Sequence, residues 1–108
     1  MVRFAENVYT TDSTRSRLDQ IKWKTVCGIG MLNVYFITPA MSGKDLFDIY
    51  SAVNFKQRSF RKSNLVILGV AGGESEAYML VENIINDALE KCGDVTKIRN
   101  YINSYIDN

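Results

Sequence analysis

NLVILGVAGG (64–73) followed by ESEAYMLVENIINDALEKCG (74–93) decides the fold. Leu65–Ala71 is an unbroken apolar run, which predicts a strand covered on both faces and central in its sheet. The double glycine after it predicts a tight turn into a helix, with Gly73 as N-cap and Glu74 and Glu76 in the first turn, where the helix dipole favours acids. Ala77, Leu80, Val81, Ile84, Ile85, Ala88, Leu89 and Cys92 recur at 3, 4 and 7 positions and form one apolar stripe. Glu82, Asn83, Asn86, Asp87 and Glu90 fall opposite it, with Asp87 and Lys91 spaced for an i, i+4 pair. Gly93 closes the helix, and Asp94 caps a second, shorter one that turns Val95, Ile98, Ile102 and Tyr105 inward.

Upstream, the pattern has period two. Trp23, Thr25, Cys27, Ile29 and Met31 share one parity in Ile21–Met31, which reads as a strand. Leu32-Asn33 reads as a turn, and Val34–Thr38 as a second strand, antiparallel to the first and ended by Pro39. Asp45–Ser51 fits a strand better than a helix because it is short. Before these, Asn7–Thr10 reads as a short edge strand and Ser13 as the cap of a short helix over Thr14–Gln20. Strands grouped ahead of helices imply α+β: a small, mostly antiparallel sheet of three to five strands against a long amphipathic helix, with a short second C-terminal helix. The organisation read from this is a polar N-terminal segment, 1–20, either short strand and helix or partly disordered, followed by a single α+β domain, 21–108.

Composition narrows the function. An apolar fraction of 46% with 23% charged residues suits one globular domain. Cys27 and Cys92 lie in apolar patterns far from metal-ligand spacing, so both read as buried free thiols in a reducing cytosol, with a structural disulfide as the alternative. The N-terminus lacks the apolar core of a signal peptide. Val26–Met41 is too short and too interrupted to span a bilayer, so the expectation is a soluble, cytoplasmic protein. With no histidine, the chain has no Ser-His-Asp or Cys-His pair and lacks the commonest zinc ligand. Gly69–Gly73 matches neither a dinucleotide fingerprint nor a phosphate loop, and two glutamates beside it would repel an anion. Asp45 with Asp48, Glu74 with Glu76, and the row Asn83, Asn86, Asp87 and Glu90 read as solvated faces rather than catalytic or cation-binding sets. No cofactor or metal is implied, and the expectation is a protein that is not an enzyme.

The sharpest candidate is the run Phe55–Lys62. Net charge is only +1, yet Lys56, Arg58, Arg61 and Lys62 stand together with no acid, while seven acids face three bases from Ser63 onward. Cations steer association with acidic partners, and interleaved aromatic rings can anchor a contact or stack on unpaired bases. Lys56, Arg58, Phe60, Arg61 and Lys62 are the candidate binding residues, with Arg15, Arg17, Lys22 and Lys24 as an extension. The function this implies is a macromolecule-binding module for a protein or nucleoprotein. Sequence-tolerant nucleic-acid binding is the alternative, with a small-molecule enzyme behind it. A homodimer, through a sheet edge or the tyrosines Tyr101 and Tyr105, is a further partner reading.

The segments NVYTT (7–11), IKWK (21–24), VYFIT (34–38), LFDIYSAVNFKQ (46–57), VILGVAGGESEAYMLVENIINDALEKCGD (66–94) and IRNYI (98–102) resemble a family of small cytosolic proteins of Gram-positive bacteria, often encoded beside mobile-element genes. The matching pattern rests on Ile67, Gly69, Val70, Ala71, Glu76, Ala77, Leu80, Val81 and Ile84. The resemblance brings no catalytic residue with it. Its mobile-element setting implies a role in countering host defence, for example as an anti-CRISPR-like inhibitor.

Overall fold

The structure, a computed structural model, describes residues 3–39, 46–53, 66–93 and Tyr101. In chain order these form β1 (Arg3–Thr10), α1 (Asp12–Arg15), α2 (Leu18–Val26), β2 (Tyr35–Pro39), β3 (Phe47–Ser51), β4 (Val66–Ala71) and α3 (Glu74–Cys92). The four strands make one sheet in the order β1-β4-β2-β3. β2 runs antiparallel to both β3 and β4, and β1 runs parallel to β4. The chain is therefore α+β, with a mixed sheet; among the described residues two of its three strand pairings are antiparallel.

The apolar run at 66–71 does become an internal strand, with Ile67, Leu68, Gly69, Val70 and Ala71 all buried. Side chains alternate across a strand, so β2 feeds two cores. Phe36 joins Ile21, Met31, Val34, Ala52, Ile67 and Val70 on one side. Ile37 joins Ala71, Ala77, Leu80 and Ile84 on the other. Helix α2 thus covers one face of the sheet and α3 the other. Gly69 of β4 packs under α3: a Cβ there would stand 2.9 Å from Leu80 Cδ2 and 3.3 Å from Ile37 Cδ1.

Helix α3 has the expected ends. Gly73 is its N-cap, and Gly93, at φ 69°, sends its amide back to Leu89 O at 2.7 Å. Its buried stripe is Ala77, Leu80, Ile84 and Ala88. Asp87, expected on the solvent side beside Lys91, is instead turned toward β1, where it accepts the Tyr9 hydroxyl at 3.0 Å. Burial, with hydrogen bonds to Tyr101 and Asp87, pushes the Tyr9 phenol well above its ordinary pKa.

Several expectations from the sequence are corrected. Ile21–Met31 is not a strand: Leu18–Val26 is helix α2. Its buried positions, Ile21 and Thr25, are four apart, and the Thr25 hydroxyl donates to Ile21 O at 2.8 Å. Gly28, at φ 74°, turns the chain away from the helix end instead of bulging a strand. Val34–Thr38 consequently has no antiparallel partner upstream; Tyr35–Pro39 pairs with β3 and β4. Cys27 is exposed at the C-cap of α2 and free, not a buried thiol; the Cys92 side chain lies outside the described residues. The N-terminal strand is longer than Asn7–Thr10, and its neighbour β4 is parallel. The expected cap at Ser13 moves to Thr11, and the single helix 14–20 divides into α1 and α2. Residue 20, the proposed limit of a separate N-terminal segment, falls inside α2.

Polar contacts fasten α1 to the sheet. The Thr14 hydroxyl is fully buried, accepts the Thr11 amide at 3.1 Å and donates to Val70 O of β4 at 2.9 Å. Thr14→Val keeps the shape and leaves both partners unmatched. It is expected to cost about 1–3 kcal/mol in urea unfolding, with Thr14→Ser recovering most of the loss. An effect under about 0.5 kcal/mol for Thr14→Val would contradict the role given to this hydroxyl.

Candidate interaction surface

Helix α2 is short and buries only part of its circumference. Leu18, Ile21 and Thr25 turn toward the sheet, with spacings of three and four. The remaining arc carries Trp23, 60% exposed, and Val26, 69% exposed. The chain then folds back on the helix end through Cys27 N–H to Trp23 O at 3.0 Å and Ile29 N–H to Lys24 O at 2.9 Å. Ile29 and Leu32 follow in that turn, and Leu32 is 82% exposed. Val53 lies at the same end of the sheet, because the Ala52 amide donates to Val34 O at 2.8 Å, and it too is exposed. Large apolar side chains scattered singly on a surface are ordinary; a run along one helix and its exit turn is the arrangement associated with docking.

Cations flank this apolar strip. The Lys22 ammonium stands 5.7 Å from the centre of the Phe4 ring, within reach of a cation–π contact. Lys24 is half-buried one residue beyond Trp23. Arg17 donates through Nε to Ser13 O at 3.0 Å, and Arg15 pairs loosely with Asp12 at 3.7 Å on the open surface. Exposed pairs of that kind contribute little to stability. The four bases suggested as an extension of the basic run therefore stand on α1 and α2 and on the link between them. Lys56, Arg58, Phe60, Arg61 and Lys62 themselves lie outside the described residues. In the sequence, the run Phe55–Lys62 starts two positions after exposed Val53.

The turn at the start of α3 is filled by the chain's own side chains. Ser13 of α1 rests against Gly72, where any added Cβ would meet its hydroxyl, and that hydroxyl donates to Glu76 Oε1 at 2.9 Å. The Thr11 and Ser13 hydroxyls, the Gly72 amide and the Arg17 cation hold the Glu76 carboxyl below its ordinary pKa. Among the described residues no group of three or more cysteine and carboxylate side chains is placed to hold a metal ion. Glu74 and Glu76 are engaged separately, Glu74 Oε1 accepting the Tyr78 hydroxyl at 3.4 Å. Asp48 accepts the Tyr50 hydroxyl at 3.4 Å on the sheet edge, and Asp45 lies outside the described residues. Among the described residues, no helix is long and apolar enough to cross a membrane.

Trp23, Val26, Ile29 and Leu32 escape a period-two reading, because alternation assigns Trp23 and Ile29 to the buried parity. The signal that finds them is the competing helical spacing of Leu18, Ile21 and Thr25, with Gly28 as the stop. No family model, curated protein or solved structure matches this chain.

Proposed function

We propose that the protein is a non-enzymatic binding module for another macromolecule, a protein or nucleoprotein, and that α2 with its exit turn is the apolar centre of the contact. The observation that supports this is Trp23, held out at 60% exposure by a helix whose opposite side is buried. Tryptophan is the residue type most enriched where interfaces concentrate their energy. Lys22 and Lys24, together with the basic run Lys56, Arg58, Arg61 and Lys62, supply steering toward an acidic partner, and Phe60 adds a second anchor. Inhibition of a host-defence complex is the biological setting that the family resemblance implies.

The test compares tagged wild type with a Trp23→Glu/Leu32→Glu variant as baits in a native lysate, both verified as folded by circular dichroism. Each captured component is then purified and titrated against both baits. A partner of this surface loses at least 100-fold in affinity with the variant, while Arg58→Glu/Arg61→Glu mainly slows association and weakens its salt dependence. Equal affinity of a purified partner for wild type and the Trp23 variant would remove α2 from the contact. Labelled single- and double-stranded oligonucleotides over a salt series form the second arm. Tight low-salt binding that ignores Trp23 and needs Arg58 and Arg61 would replace the proposal with phosphate-driven nucleic-acid binding.

A further inference from the structure

The two outer helices leave the sheet with surfaces of opposite character. Residues 12–26 carry four bases, Arg15, Arg17, Lys22 and Lys24, against two acids, Asp12 and Asp19. Helix α3 carries five acids against one base, Lys91. Three of those acids accept a hydroxyl hydrogen bond, Glu76 from Ser13, Asp87 from Tyr9 and Glu74 from its helix neighbour Tyr78. Glu74, Glu82 and Glu90 remain on the exposed side. The same side of α3 carries its own apolar pair, Tyr78 at 60% and Met79 at 61% exposure. A basic-rimmed apolar strip thus lies on one layer and an acid-rimmed apolar pair on the other.

Because the sheet separates α2 from α3, one molecule cannot bring its two strips together, but two molecules can. A symmetric contact would set lysines against lysines, or glutamates against glutamates. A head-to-tail contact matches charge as well as apolar surface. We infer that copies of this chain associate head to tail, the Trp23–Val26 strip of one copy seating on the Tyr78–Met79 face of α3 in the next. This contact needs no foreign partner and does not rest on the function proposed above. It uses the same α2 surface, so assembly and partner binding would compete. A single helix-face contact falls at the small end of interface sizes, which corresponds to micromolar or weaker affinity.

Sedimentation and light scattering of the pure protein from about 10 μM to about 1 mM test this. Average mass should rise past two copies without a plateau and fall back when salt is raised from about 50 mM to about 500 mM. Trp23→Glu and Met79→Lys should each stop the growth. Mixed in equal amounts, they should form a species of two chains and no larger, since each supplies the face the other lacks. Cys27, exposed beside Val26, gives a second readout: its reaction with a thiol reagent should slow as wild type is concentrated, and not in Trp23→Glu. A Cys92→Ser background isolates that signal. Monomeric mass across the whole range, or a plateau at two copies with no recovery on mixing, would overturn the inference. Both results are read without any partner, so they leave the binding proposal to its own experiment.

Discussion

Phe36→Ala is expected to remove about 3–5 kcal/mol of stability, the range for truncating a large buried aromatic side chain. Phe36 is fully buried in β2, paired with Tyr50 of β3 on one side and Val70 of β4 on the other. Its ring meets Phe4 of β1 edge-on, centroids 6.0 Å apart and planes at 86°. One side chain thus ties β1 to β2 while packing against Ile21 of α2. Small domains are stable by roughly 5–15 kcal/mol, so the variant should be close to its unfolding midpoint in mild urea. Urea titration followed by circular dichroism measures this. A loss under about 1 kcal/mol would mean that Phe36 does not occupy the junction described.

A paired substitution on α2 should give the largest contrast between neighbouring positions. Ile21→Asp places a carboxylate at a position that is 2% exposed, among Phe36, Ile67 and Val70, with no partner for its charge. The expected cost is about 4 kcal/mol or more. Trp23→Asp changes a position that is 60% exposed and should stay within about 0.5 kcal/mol. Were 21–31 a strand, residues 21 and 23 would share a face and both variants would be severe. Thermal melts of the two proteins side by side decide the matter, and equal destabilisation would refute the helix.

That contrast also shows which parts of the fold are legible in the sequence. The segment 66–93 becomes the expected strand, turn and helix because its signals agree: an apolar run without polar interruption, a glycine turn, a long 3.6-residue period and a glycine stop. Val34–Thr38 and Asp45–Ser51 are read to within a residue or two, since Pro39 and the short length leave little else. Ile21–Met31 fails because the last six residues of α2 and the turn after them happen to alternate. Lys22 and Lys24 fall at polar parity in a strand, yet on a helix they flank an exposed tryptophan. The parallel pairing of β1 with β4 carries no local signal, since Arg3 and Val66 are far apart in the chain. The basic run 56–62 is evident from composition alone, and the α2 surface is not, because its exposure follows from the helix.

The pairing of the first strand with β4 constrains the order in which this protein can be built. Arg3 pairs with Val66, and the Thr14 hydroxyl waits for the carbonyl of Val70, 56 positions later. On the ribosome, at about 5–20 residues per second, that interval is about 3–11 seconds during which residues 3–10 lack β4 to pair with. Closure of such distant contacts is intrinsically slow. Residues 3–14 are therefore secured only once β4 has emerged from the exit tunnel.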